Sequence, residues 1–245
     1  MDNINGFCLG GFYSRDYGII MTEPPKIVFA ERDTESLSVA GMSGDLTRDN
    51  GRYKNVTIPY KCAIFPKNSE SLREAAISAL ELLRPKAGYA RLENTYHPES
   101  FRFGRISSQI SIDSIVEQAG KFTVNFDCKP QRFLISGEAP FEFLEPSFLV
   151  NPTQFAAKPV IEVFGTGAGN LVVGGTIVEI KELTDQLVLD CETMNAYRQV
   201  GDAAPENKNS CIYAPEFPEL MPGENTVSWD GEITSVKITP RWWTL

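Results

Sequence analysis

Residues 71–84 read SLREAAISALELLR, and their periodicity decides how the first half of the chain is built. Leu72, Ala75, Ala76, Ala79, Leu80 and Leu83 recur at the three- and four-residue steps of an α-helix, forming one apolar stripe. Ser71 and Glu74 have capping-box spacing: the Ser hydroxyl accepts a first-turn amide while the Glu carboxylate reaches back to the Ser71 amide. Pro85 ends the predicted helix, because the residue before a proline is pushed out of the α region. The alanines make the stripe shallow, so the helix can lie close to a flat surface. The segments on either side read as strands, which predicts one helix, about 71–84, laid on a β-domain.

Upstream, FCLGGFY (7–13), YGIIM (17–21) and KIVFAE (26–31) carry the β-branched and aromatic residues of strands, with the prolines of EPPK forcing a loop or an edge between the last two. A short strand, SLSVAG (36–41), is expected next. The polar SGDLTRDNGRY that follows, with its Asn-Gly pair, favours a hairpin or a long ordered loop. Its acids Asp45 and Asp49 lack the order of a calcium loop, so a solvated turn is the reading. From Tyr53 to Ile64 the pattern alternates, with Tyr53, Val56, Ile58, Tyr60, Cys62 and Ile64 mostly on one face and Lys54, Thr57 and Lys61 mostly opposite. After the helix come GYARLE, FRFGRISSQISID and KFTVNFDC, the last alternating through Phe122, Val124, Phe126 and Cys128 until Pro130 breaks it.

The junction QRFLISGEAPFEFLEP (131–146) is rich in prolines and turn residues, and no helical period survives beyond it. Short strands follow at roughly ten-residue spacing: PVIEVFG, NLVVGG, TIVEIKE and QLVLDCE, joined by Gly-Ala-Gly-Asn, Gly-Gly and Thr-Asp. ENTVSW and ITSVKIT are predicted to pair across Asp230-Gly231 as a type I′ hairpin, and GDAAPENKNS reads as a mobile loop. The expected organisation is mainly β: residues 1–132 a β-sandwich-like domain with one helix, and residues 133–245 an antiparallel β-sandwich.

Composition narrows the function. The chain of 245 residues has 23 basic and 32 acidic side chains, a net charge of −9, and so no general attraction for phosphate backbones or anionic lipid. No apolar run approaches the roughly 20 residues of a membrane helix, and the first residues lack the pattern of a signal peptide, which predicts folding in a cytoplasm without membrane insertion. Five scattered cysteines without CxxC spacing read as buried thiols. The single histidine, His97, leaves no multi-histidine metal site within one subunit, and in YHPES it reads as a structural or exposed residue. GTGAGN (165–170) is followed by a strand, not by a helix N-terminus that could hold a phosphate, so a turn needing positive φ is expected. No catalytic, cofactor or metal site is expected, although two carboxylates of a glycosidase are not excluded by sequence alone. Tyr197, Tyr213, Trp229, Trp242 and Trp243 are candidates for partner contact, against the plainer reading that they fill the sandwich core. Of the adjacent Trp242 and Trp243, at most one should face the core if the chain is extended.

Taken in order, several stretches resemble the distal tail protein (Dit) family of siphophages infecting Gram-positive bacteria. They are SLSVAGMSGDLTRDNGRYKNVTIPY, the helix, GYARLENTYHPESFRFGRI, KFTVNFDCKP, NPTQFAAKPVIEVFGTGAGNLVVGG, QLVLDCETMNAY and FPELMPGENTVSWDGEITSVKITPRWWTL. The chain departs from the family at Ala40-Gly41-Met42, where members often carry proline, glycine and arginine. It also has no room for the insertions that bring extra carbohydrate-binding modules to larger relatives. The resemblance implies a ring-forming β-domain followed by a galectin-like β-sandwich. The implied role is a hexameric ring at the virion's tail tip, assembled in the host cytoplasm. It would dock the major tail tube protein on one face and the tail-associated hub protein on the other, with a receptor-binding protein as a further partner and a channel through which DNA only passes. A closed ring needs two different patches per subunit. Candidates are Tyr17, Ile19, Ile20 and Met21 in the 10–26 segment, and Asp45, Asp49 and Asn50 in the 43–53 loop. The rival reading is a protein that recognises host polysaccharide through its second sandwich.

Overall fold

The computed structural model describes residues 5–66, 71–84, 87–116, 119–201 and 203–245. It divides into two compact units, residues 1–132 with 245, and residues 133–244. Each unit encloses a separate hydrophobic core.

The first unit contains β1 (Phe7–Leu9), β2 (Phe12–Tyr13), β3 (Ile19–Met21), β4 (Arg32–Leu37), β5 (Leu46–Tyr53), β6 (Val56–Ile64), helix α1 (Leu72–Leu82), β7 (Ala90–Asn94), β8 (Ser100–Ile106), β9 (Asp113–Val116) and the start of β10 (Ala119–Leu134). Its main sheet runs β2-β1-β7-β8-β10-β6-β3. The antiparallel register pairs Phe122 with Cys62, Val124 with Tyr60, Phe126 with Ile58 and Cys128 with Val56. This places both alternating apolar sets side by side on one buried face. Ala75, Ala79 and Leu83 of the helical stripe enter the same core, whereas Ile77 on the far side is half exposed. Helix α1 starts as its sequence requires: Ser71 Oγ accepts the Glu74 amide at 3.3 Å and Glu74 Oε2 accepts the Ser71 amide at 2.9 Å. The stop assigned to Pro85 lies outside the described residues.

Four expectations for this unit are corrected. KIVFAE is extended but joins no sheet; Val28 and Ala30 pack on the core while Ile27 and Phe29 point to solvent, at 71% and 73% exposure. The strand expected over 36–41 lies earlier, at β4, and it forms with β5 a separate two-stranded ribbon whose turn spans residues 38–45. The Asn50-Gly51 pair is therefore not the hairpin turn. It sits in the bulge between the Arg32–Tyr53 and Thr34–Asp49 pairs, where Gly51 takes φ 73°. Finally, β10 continues through Pro130 to Leu134, since the fixed φ of proline is compatible with extended backbone.

The second unit completes β10 and adds β11 (Phe141–Phe143), β12 (Ser147–Asn151), β13 (Val160–Val173), β14 (Thr176–Asp190), β15 (Asn195–Arg198), β16 (Glu206–Asn207), β17 (Ile212–Tyr213), β18 (Gly223–Trp229), β19 (Ile233–Thr239) and β20 (Trp243–Thr244). The four short strands expected over 159–192 are two long ones, β13 and β14, joined at Gly174-Gly175 with φ 58° and 87°. The GTGAGN stretch lies inside β13, at a bulge between Gly167 and Gly169, and Thr184-Asp185 lies inside β14.

The predicted β18–β19 hairpin does not form. Strand β19 pairs with residues 160–165 of β13, whereas β18 pairs with residues 171–173 of the same strand. Asp230-Gly231 is thus a corner at which the chain crosses between layers, and the glycine stretch is the bend it crosses over. A Cβ on Gly169 would overlap the Asp230 carbonyl, and one on Gly231, at φ 67°, would overlap the Ala168 carbonyl. Only glycines permit these two backbones to approach so closely. One half of the β13–β14 hairpin carries β19, β11 and β15, and the other carries β18, β12 and β17. Ile161, Val163, Leu171, Val173, Ile180, Leu187 and Leu189 share the core they enclose. Within the stretch expected to be mobile, Glu206–Asn207 form a strand paired with β15, and Asp202 lies outside the described residues. The fold is mainly β with a single α-helix among the described residues, as expected.

Candidate assembly surfaces

The ribbon β4–β5 pairs with no other strand among the described residues, and nearly every residue in it is exposed. A two-stranded ribbon is marginal alone in water. This one is laced by ion pairs: Arg32 Nε lies 3.0 and 2.9 Å from the Asp49 oxygens, Arg52 Nε lies 2.7 Å from Asp33, and Arg48 lies 3.9 Å from Glu35. Hydrogen bonds from Arg32 and from the Gly51 amide hold the Asp49 carboxyl below its usual pKa, and Arg52 does the same for Asp33. Arg32 also lies over the Tyr53 ring, 4.9 Å from its centroid. Alongside these charges Leu37, Val39, Met42 and Leu46 are exposed, and Ile27 and Phe29 precede the ribbon. These residues make an exposed apolar set on an extended, solvated element.

A second apolar set lies in the other unit. Phe148 and Val150 of β12, Ile177 of β14 and Tyr213 of β17 are each more than half exposed, while Leu149 between the first two is buried. Lys181 Nζ lies 5.8 Å from the Tyr213 ring.

The candidates from sequence separate on these grounds. Ile19 and Met21 are buried in the core of their own unit, so they are corrected from interface to core; alternation in β3 sends both inward. Ile20 is half-buried, and Tyr17 stacks on Phe12 with ring centroids 4.8 Å apart, leaving it 40% exposed. Asp45, Asp49 and Asn50 are on the exposed ribbon. Trp242 is buried at 3% exposure and is corrected to a core residue, whereas Trp229 and Trp243 pack partly buried against the same core. Trp243 stacks on Phe155 at 4.4 Å and donates its Nε1 hydrogen to the Ala156 carbonyl at 2.8 Å. Tyr197 is half-buried, and Tyr213 alone of the five presents most of its surface. Ile27, Phe29, Leu37, Val39 and Met42 were missed, because a short apolar run reads as a buried strand whether or not a sheet awaits it.

Chemistry is sparse by comparison. Among the described residues no group of three or more His, Cys, Asp or Glu side chains is placed to hold a metal, and no helix is long and apolar enough to cross a membrane. His97 Nδ1 is 3.7 Å from a Glu99 oxygen, and its amide donates to Asn94 Oδ1. Cys62, Cys128 and Cys191 are buried free thiols whose pKa burial pushes up to about 12, so they resist ionisation.

Residues 16–128 match the family model described as a phage tail protein RIFT-related domain. No curated protein matches the chain in sequence. Among solved structures, the crystal structure of the Dit protein of phage SPP1, described as a paradigm of the hub adsorption apparatus in phages infecting Gram-positive bacteria, matches with a TM-score of 0.76. The match covers 99% of this chain and 100% of that one at 13% identity. The resemblance read from the sequence is borne out at the level of fold: residues 16–128 match the phage tail RIFT-related domain model, and the chain as a whole is similar in fold to that distal tail protein.

Proposed function

We propose that this phage tail structural protein is a tail-tip hub subunit that assembles into a hexameric ring. One face of the ring meets the major tail tube protein and the other the tail-associated hub protein, while the second domain offers attachment to a receptor-binding protein. The observation that carries this reading is the end-to-end likeness to a hub protein of a phage adsorption apparatus, both domains included. The β4–β5 ribbon supports it, since it supplies one of the two unlike patches that a closed ring of identical subunits needs. The net charge of −9 suits a channel that lets DNA slide without sticking. The rival reading, polysaccharide recognition by an aromatic platform, loses its candidate Trp242 to the core, and Trp229 and Trp243 are partly buried against it.

Mass photometry of the purified protein tests the proposal. A species near six times 27.2 kDa is expected. A monomer at every concentration, with no ring in negative-stain images, overturns it.

A further inference from the structure

Strand β12 bonds only to β18 among the described residues, so its far side is a free sheet edge. The ladder shows which backbone groups lie on that edge. The Gly174 amide donates to the Thr226 carbonyl at 2.9 Å and the Asp230 amide to the Asn170 carbonyl at 3.0 Å, which commits the backbone groups of Thr226 and Asp230 to β13. Such groups alternate sides along an antiparallel strand, so Asn225 and Val227 turn theirs toward Leu149 and Ser147 of β12. Phe148 and Val150, opposite Thr226 and Glu224, therefore direct their own amides and carbonyls away from the sheet. Neither has a backbone partner among the described residues.

Folded proteins blunt such edges with charge, proline or short length. Here β2, β3, β11, β16 and β17 are two or three residues long, and the β4–β5 ribbon is lined with charged side chains. Strand β12 has none of these devices: SFLVN is five residues without a charge or a proline. From its outer face Phe148 and Val150 project apolar side chains that are more than half exposed.

The surroundings are acidic. No lysine or arginine occurs in residues 133–157 or 209–236, which include β12 and β18. Glu145 precedes the strand and Glu224 stands opposite Val150, and both are exposed. A second copy of the chain on this edge would bring those carboxylates toward their own counterparts, whereas a basic segment is attracted to them.

We propose that β12 captures an extended segment of a partner protein as an added antiparallel strand, with Lys or Arg flanking a run of alternating apolar residues. Main-chain bonds to Phe148 and Val150 hold it, its apolar side chains cover theirs, and its basic ends meet Glu145 and Glu224. A nucleic acid is repelled by the same carboxylates and cannot complete the ladder. Neither a ring nor any particular tail protein is required for this edge to take up a strand.

The probe is fluorescein-labelled Lys-Val-Thr-Val-Thr-Val-Lys-amide, titrated into the full chain and followed by anisotropy. Saturable binding is expected, with hydrogen–deuterium exchange slowed within residues 147–151. The same peptide N-methylated at its valines should bind at least about tenfold more weakly, because main-chain hydrogen bonds are lost. A version with Glu in place of Lys should also bind more weakly, by a factor that shrinks in high salt. Val150→Pro should weaken binding while sparing the ladder to β18, since the amide it removes faces the free edge. Equal binding of the N-methylated peptide, no binding at millimolar concentration, or slowed exchange only outside 147–151 overturns the proposal. A dimer of the chain that Val150→Pro dissociates also overturns it, because the occupant is then a second copy.

Discussion

Asp230 Oδ1 accepts a 2.7 Å hydrogen bond from the backbone amide of Asn170, and the Asn170 side-chain amide lies 3.2 and 3.1 Å from the two Asp230 oxygens. Two turn-like signals sixty residues apart are thereby one structural device. The corner at residues 230–231 is latched onto the bend of β13, which lets that strand serve both layers of the second domain.

Substitutions at this contact should separate steric overlap from backbone strain. Gly231→Ala meets both a positive φ and the Ala168 carbonyl, while Gly175→Ala, at φ 87°, meets nothing within 4 Å. The second should cost about 1 kcal/mol from conformation alone, and the first roughly 3 kcal/mol or more. Urea unfolding of the second domain measures both. Equal costs would show that the corner yields without strain.

The helix supplies a second test. Ala79→Asp places a charge at a position 1% exposed and should destabilise the first domain by about 3–5 kcal/mol, whereas Ile77→Asp, at a position 50% exposed, should cost less than about 1 kcal/mol. Glu74→Ala removes half of the capping box and should be much milder than Ala79→Asp. Thermal melts that rank these three differently would mean the stripe faces another way.

Acid should loosen the second domain through Asp190. Burial favours its neutral form, but Arg241, with Nη1 2.8 Å away, and the amides of Glu192 and Thr193 outweigh that and lower the pKa from 3.8. A carboxyl depressed in the folded state contributes stability that is present above its unfolded pKa and lost as pH falls through the folded one. Stability should therefore drop below about pH 4, and Asp190→Asn should flatten part of that slope. An unchanged slope in the variant would place the acid response elsewhere.

If the ribbon builds the ring, exchanging its exposed apolar residues should act on mass and not on folding. Leu37→Ser with Met42→Ser should leave the melting temperature of the first domain within about 2 °C, since both side chains are about half exposed, yet reduce the hexamer to smaller species. Retention of the hexamer would move the interface off the ribbon.

Separate expression of residues 1–132 and 133–245 follows from the two independent cores. The first piece should form the ring and the second should be monomeric, as judged by mass in solution. The reverse outcome would assign the ring to the sandwich.

Local rules were enough for the helix and its cap, because Ser71, Glu74 and the stripe from Leu72 to Leu83 interact within a few turns of one another. Alternation was likewise enough for β6 and the first part of β10, where each inward residue meets a like neighbour across one ladder. What sequence could not specify is which strand pairs with which. Asp230-Gly231 has the chemistry of a tight hairpin, yet β18 and β19 each bond to a different stretch of β13, since that leaves both their apolar faces buried in one core. The same limit hid the surfaces. Ile27 and Phe29 are as apolar as Ile58 and Phe126, and only the presence or absence of a neighbouring layer makes the first pair exposed and the second pair core. Sequence determines what each side chain would gain from burial, and the tertiary structure decides which of them obtain it within a single subunit.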